Sequence, residues 1–337
     1  MNSLGYVGSQ GKRIVFEEKG QVAIEDFDIK QPESDQLLIS TVSTLISPGT
    51  ETAFLMALPN TSGVFPQYPG YSNAGVVVSV GSEVSRFRVG DRVASSAPHA
   101  SYVLVKEEDV VKIPDELSFD DATFLTLGCI GIQGVRKADI ELGDSVVVLG
   151  QGLIGQMALQ LSKLGGGMPT MAVDIYDNRL DVALRNGADY AFNPSKMDVV
   201  KAVRDVTNGG ASVVIEATGS PEAISIALKL AGRRGRVVLL GSTRGESTVN
   251  FYSDVHRKGV VIIGAHNSIR PRYESVHGYW MVKDDRAVVM NLLNKRLLKV
   301  RDFISLKLSF EEAPSAYKML MQRKESVLGI ILDWEIN

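Results

Sequence analysis

The 337-residue sequence has one cysteine, two tryptophans and only 7% aromatic residues. A lone Cys129 excludes an intrachain disulfide and any four-cysteine structural zinc cluster. No apolar run reaches the roughly 18–20 residues that a membrane-spanning helix needs. Charge of one sign is also scarce: the formal net charge is −3, which gives no electrostatic pull toward nucleic acid or an anionic membrane. The opening MNSLGYVGSQGKR lacks the basic-then-apolar pattern of a secretory signal. These absences lead to the expectation of a cytoplasmic globular protein that binds neither nucleic acid nor membrane. The length points to two domains rather than one core.

Glycine, by contrast, is abundant, with 32 residues placed as punctuation between short apolar runs. From residue 145 the pattern is regular. The runs 145–149, 170–174, 189–193, 212–217, 236–241 and 260–265 read as six strands, most of them buried. Helical spacing fills the gaps, as in QMALQLSKLG, NRLDVALRNGA and PEAISIALKLAG; KMDVVKAVRDVT is a further helix with Ser195 as its expected cap. Alternating strands and helices define an α/β fold with a doubly wound parallel sheet, and six strands match a complete Rossmann sheet. Before residue 120 the chain reads differently. RIVFEE, QVAIEDF, QLLISTVST, AGVVVSVG, DRVAS and SYVLVK are short strands between turns. After residue 267 two helical segments lead to a last strand, LGIILDW.

The turn after the first strand of the Rossmann segment is GQGLIG. Gly150 makes the tight turn, Gly152 lets backbone approach a pyrophosphate, and Gly155 allows close packing of the helix that Leu153 and Ile154 open. The helix start favours phosphate charge. Asp174 ends the next strand, where a carboxylate would bind an adenosine ribose and repel the extra phosphate of NADP; NAD is therefore the expected cofactor, with Arg179 as a counterweight. Thr218 and Gly241, near the ends of the fourth and fifth strands, complete the candidate cofactor residues.

Several further stretches carry a family resemblance: PGYSNAGVVVSVGSEVSRFRVGDRV, LGCIGIQGV, IEATGSPE and FEEAPSAYKML. Together they resemble the medium-chain dehydrogenase/reductase, or alcohol dehydrogenase-like, family over nearly the whole chain. The resemblance implies a β-rich, GroES-like, partly barrel catalytic domain over 1–122, a Rossmann domain over 123–266, and a return of 267–337 to the catalytic domain. It also implies a homodimer or homotetramer. In zinc-dependent members the segments LISPGTETAFL and PGYSNAG would carry a ligand Cys and a ligand His. Pro48 and Tyr71 stand there instead, and only Cys129 matches a ligand position. The stretch VASSAPHAS leaves no room for a structural zinc lobe. SPGTE and PHASY look similar to a branch that includes cyclitol, sugar and bacteriochlorophyllide dehydrogenases. The expectation is a zinc-independent enzyme that holds no metal.

Without a metal, hydrogen-bond donors would have to stabilise the developing alkoxide. Thr50, Tyr71 and His99 are the candidates, with Glu51 orienting them. The bland alternatives are a turn cap for Thr50, packing for Tyr71 and an exposed loop position for His99. Cys129 reads as a small packing residue. The stretch 264–285 is rich in His, Arg and aromatic residues. There His266, His277, Tyr279 and Trp280 are candidates to recognise a ring or polyol, with ordinary packing as the alternative for the aromatic pair. A rival metal site from His99, His266 and His277 also stays open. The leading function is NAD-dependent oxidation of a secondary alcohol or reduction of the matching ketone, on a polyol, cyclitol or sugar-like small molecule. The alternatives are an NAD(P)H-dependent quinone or activated-alkene reductase, and a non-catalytic dinucleotide-binding relative.

Overall fold

The structure, a computed structural model, describes residues 9–323 and 325–335; the first eight residues of the opening stretch lie outside them. One compact unit runs to Thr126 and resumes at Arg286; the other is Leu127–Asp285.

The first unit opens with an antiparallel pair, β1 (Gln10–Glu18) and β2 (Gln21–Asp28). Then follow β3 (Gln36–Ile46), α1 (Pro48–Leu55), β4 (Asn73–Val80), β5 (Arg92–Ser95), β6 (Tyr102–Lys106), β7 (Val111–Lys112) and α2 (Phe119–Ala122). The Rossmann segment follows α3 (Leu125–Ala138). It consists of β8 (Val146–Leu149), α4 (Leu153–Leu164), β9 (Thr170–Val173), α5 (Asp177–Arg185), β10 (Tyr190–Phe192), α6 (Val199–Thr207), β11 (Ala211–Glu216), α7 (Pro221–Leu230), β12 (Ala231–Leu239) and β13 (Val261–Gly264). The chain ends with α8 (Val282–Asn294), β14 (Ile304–Ser309), α9 (Ala313–Gln322) and β15 (Gly329–Asp333).

The doubly wound sheet is present. Its order is β10-β9-β8-β11-β12-β13 and every pair is parallel. The order reverses between β8 and β11, the switch point outside which such sheets bind ligands. Val147, Met171, Val214 and Val237 are fully buried and tie the sheet to Val203 and Ala227 of its helices. In the first unit a seven-stranded sheet is ordered β14-β15-β3-β4-β5-β7, with β6 also on β3. β15 pairs antiparallel with β3 through Ile330 and Ile46, so the last strand closes onto the third. Under it, α9 buries Ala313, Ala316, Tyr317 and Leu320 against Phe16, Leu55 and Trp334.

Four local readings change. The cap of α6 is Asp198, whose side chain accepts from the Lys201 amide; Ser195 instead donates its N–H to Asn193 Oδ1 in a local turn. β13 is not buried, because it forms the sheet edge and exposes Val261 and Ile262. An apolar run cannot by itself distinguish a central strand from an edge strand. β14 was not legible, since ISLKLS alternates in burial and carries a lysine. Residues 267–285 stay with the second unit, held there by Arg270, which bonds Asp285 and the Cys129 carbonyl. Among the described residues no helix is long and apolar enough to cross a membrane.

Candidate active site

In the first unit three buried side chains from distant segments meet. α1 begins at Pro48, which has no N–H to leave unsatisfied at a helix start. One turn on, Glu51 points inward. Its Oε1 accepts the Ser47 amide at 2.7 Å. Its Oε2 faces His99 Nε2 at 2.9 Å and accepts the Tyr317 hydroxyl. A carboxylate at Nε2 assigns the proton of the neutral ring to that nitrogen. The other ring nitrogen, Nδ1, is buried and has no hydrogen-bond partner among the described residues. The backbone of His99 is pinned on both sides: its N–H donates to Pro69 O at 2.9 Å, and its carbonyl accepts Ile14 N–H at 2.9 Å. Burial, then the Glu51 charge, holds the Tyr317 phenol well above its usual range, and Tyr71 adds to the effect. Tyr71 is half-buried and reaches this place through Gly70, which has φ +98° and whose Cβ would lie 2.7 Å from the His99 ring. Thr50 is half-buried on α1. The hydroxyl that closes the turn there belongs to Thr52, which donates to Pro48 O.

His99 is therefore not an exposed loop residue: it is 1% exposed. Tyr317 escaped the sequence reading. Helical spacing in APSAYKML marks it as core-facing, and a buried phenol demands a partner, but nothing local names Glu51 as that partner.

In the second unit the Gly-rich turn sits at the switch point. Gly150 has φ +91°, and a Cβ there would come 2.7 Å from Thr218 Cγ2. Gly155 abuts the turn so closely that its Cβ would lie 1.8 Å from Gly150 O. Gly152 faces open space with nothing within 4 Å, which is the room a pyrophosphate needs at the start of α4. Leu153 is buried and Ile154 half-buried in the first turn of α4. Asp174 braces the turn: Oδ2 accepts Gln151 N–H at 2.6 Å and Oδ1 accepts Tyr176 N–H at 2.9 Å. Arg179 Nη1 lies 4.0 Å from Asp174. Thr218 donates both its N–H and its hydroxyl to Glu216 Oε1, and Gly219 N–H joins them. Burial raises the Glu216 pKa; Oε2 is buried without a hydrogen-bond partner among the described residues, and a Cβ on Gly241 would come within 3.0 Å of it. These residues fit a bound dinucleotide.

The stretch 264–285 does not gather its histidines. His266 is exposed and turns back on Ser268. His277 is 87% exposed beside Asp139 at 3.2 Å. Trp280 and Tyr279 face α3, where Arg136 covers the first ring at 3.5 Å and Lys137 Nζ the second at 3.4 Å. The rival metal site that would include His266 and His277 gains no support, since no metal-holding group is found among the described residues.

Two family models match. The model described as alcohol dehydrogenase GroES-like domain covers residues 34–115, and that of zinc-binding dehydrogenase covers residues 154–277. The chain belongs to the alcohol dehydrogenase-like, medium-chain dehydrogenase/reductase family, and it is an NAD(P)-dependent oxidoreductase. It is 29% identical over 248 residues to the D-guloside 3-dehydrogenase of Escherichia coli strain K12, covering 72% of this chain and 70% of that protein. It is 26% identical over 339 residues to the D-arabitol-phosphate dehydrogenase of Enterococcus avium, covering 90% of this chain and 92% of that one. The crystal structure of galactitol-1-phosphate dehydrogenase from Escherichia coli shares the fold, with a TM-score of 0.84 at 21% identity over 96% of this chain and 99% of that one.

The expectation of a zinc-free chain is corrected by this result, because the matched family is a zinc-binding one. The described residues bring together no group of three or more His, Cys, Asp or Glu side chains that could hold a metal. Glu51 and His99 are two such groups side by side, but the rest of the Glu51 carboxylate is taken by Ser47 and Tyr317. The residues as placed do not fit a zinc ligand set.

Proposed function

We propose that the chain transfers hydride between NAD and a secondary alcohol, or the matching ketone, on a polyol, cyclitol or sugar-like substrate. The observation that carries this reading is the buried Glu51–His99–Tyr317 cluster with Tyr71 beside it. Oxidation of an alcohol releases a proton from the hydroxyl as hydride leaves the carbon, so the protein must hold that proton. His99 can do so at Nδ1, which has no hydrogen-bond partner among the described residues, while Glu51 at Nε2 stabilises the imidazolium that results. Tyr71 and Thr50 supply the hydroxyls that meet the substrate oxygen and preorganise its charge. NAD, when bound, supplies the hydride acceptor. Asp174, fixed on the Gly-rich turn, favours NAD over NADP by repelling a 2′-phosphate. The curated relatives act, by their names, on a guloside and on a polyol phosphate, which supports the substrate class.

The same reading takes the chain to be a homo-oligomer, supported by the exposed apolar edge of β13. The test is a panel of polyols, cyclitols and sugar derivatives with NAD, followed by NADH absorbance, on wild type and His99→Asn. Turnover on one of them that His99→Asn suppresses is the expected result. Turnover on none of them, together with enone reduction by NADPH, would refute the proposal.

A further inference from the structure

A pocket on the second unit plays no part in the reading above. It is lined by Gln133, Arg136 and Lys137 of α3 and by Arg270, Tyr279 and Trp280. Gln133 and Lys137 are four residues apart on α3, so their side chains share one face of the helix. Both are more than nine-tenths buried. The Gln133 amide is oriented by its own donor, since Nε2 gives a hydrogen bond to Ala265 O at 2.7 Å. That leaves Oε1 of this lining residue buried with no hydrogen-bond partner among the described residues. Lys137 Nζ also has no hydrogen-bond partner among the described residues; it sits over the Tyr279 ring, 3.4 Å from the centroid. A ring face attracts an ammonium but satisfies none of its strong donors as an oxyanion would.

The charge around this pair is unbalanced. Asp285, the carboxylate in the lining, is already engaged by Arg136 Nε at 2.8 Å and Arg270 Nη1 at 2.5 Å. The lining thus holds three cations, Arg136, Lys137 and Arg270, against one carboxylate. Buried ammonium groups are costly unless an anion pairs with them. The occupant that completes this wall presents an anionic oxygen to Lys137 and an O–H to Gln133 Oε1. A carboxylate or sulfate alone supplies the first and lacks the second. A phosphate carrying a proton supplies both, and so does a phosphate monoester with a neighbouring hydroxyl.

We propose that this pocket binds a phosphate group accompanied by a hydroxyl, from free phosphate or from a hydroxylated phosphate ester. The test is calorimetric titration of the NADH-saturated protein, so that the pyrophosphate cradle is already filled, at constant ionic strength. The probes are inorganic phosphate, sulfate and a polyol phosphate. Saturable phosphate binding is expected, with sulfate ~10-fold weaker because a buried acceptor stays unpaired. Lys137→Met should weaken phosphate binding ~10–100-fold, and Gln133→Leu should abolish the preference over sulfate. NADH affinity should stay unchanged in both variants; if Lys137→Met fails to fold, Lys137→Gln takes its place. Tighter binding of the polyol phosphate would identify an ester as the occupant, and tighter binding of inorganic phosphate would identify the free ion. Absence of saturable phosphate binding in wild type, or wild-type phosphate affinity in the folded Lys137 variant, would overturn the proposal.

Discussion

Glu51 and Tyr317 stand 266 positions apart in the chain and share a buried hydrogen bond, phenol to carboxylate. The ring of Tyr317 packs edge-on against Phe16, with centroids 5.1 Å apart, so Tyr317→Phe keeps the packing and deletes only the donor. A buried acceptor that loses a partner costs on the order of 1–3 kcal/mol. The effect has a pH signature. The folded pKa of Tyr317 lies above the ordinary phenol value of 10.0, so the folded state keeps a proton that the unfolded chain releases. Its contribution is fully present below pH ~10 and is lost as pH rises through the folded value, at up to about 1.4 kcal/mol per unit. Denaturant midpoints from pH 7 to 11 should show wild type losing stability above pH ~10 and Tyr317→Phe losing less.

The two glycines of the cofactor turn should respond differently to an added methyl group. Gly152→Ala meets nothing within 4 Å, so stability should stay within about 0.5 kcal/mol while NAD affinity falls, because the methyl occupies the space a pyrophosphate approaches. Gly155→Ala places Cβ 1.8 Å from Gly150 O. Backbone must move there, and a loss of roughly 1–3 kcal/mol or more is expected. Thermal unfolding and NADH titration of both variants check the contrast. Equal stability losses would show that Gly152 is also a packing glycine.

Asp174→Ser removes the acceptor of Gln151 N–H and Tyr176 N–H. Two effects should appear together: NAD affinity drops by ~10-fold or more, and the gap between NAD and NADP narrows as the charge leaves. Nucleotide titrations with both cofactors measure this. An unchanged ratio would place the discrimination elsewhere, with Arg179 the neighbour to change next.

Glu216 gives the opposite end of the pH scale. Burial raises its folded pKa above the ordinary carboxyl value of 4.5, so the folded state holds a proton that the unfolded state gives up. Its stabilising contribution is present below pH ~4.5 and declines as pH rises through the folded value. Glu216→Gln keeps an acceptor for Thr218 and Gly219 and has no proton to lose. Relative to wild type, the variant should therefore gain stability between pH 4.5 and 7, as read from unfolding midpoints. A constant difference across that range would refute the assignment.

The Rossmann sheet was legible because most of its strands are short apolar runs alternating with segments of helical spacing, and the GQGLIG turn lies between the first strand and an amphipathic helix. What stayed hidden was set by long-range partners. The environment of His99 depends on Glu51 and Tyr317, which are 48 and 266 residues apart from their partners in the chain. The stretch 264–285 looked like a recognition wall by composition, yet its Arg270, Tyr279 and Trp280 are engaged by α3. Whether a charged ring or side chain meets substrate or its own protein is not written in its type. The zinc question misled for a related reason: missing ligands at two positions describe a site, whereas the family match rests on long segments, residues 34–115 and 154–277.

The edge of the Rossmann sheet should govern assembly. β13 pairs on one side with β12, through Ile262 and Val237, and has no strand on its other side among the described residues. Val261 and Ile262 are 52% and 39% exposed there. An apolar, unpaired edge of this kind is a template for a second strand, and soluble proteins usually blunt one with lysine or proline unless it is covered. Two copies meeting edge to edge about a two-fold axis would cover both edges with the same residues. Ile262→Lys would then set two like charges close together across the axis. Light scattering coupled to size exclusion should find wild type as a dimer or a multiple of one, and Ile262→Lys shifted toward monomer with NADH binding retained. A monomeric wild type, or a variant that assembles as wild type does, would remove the edge from the interface.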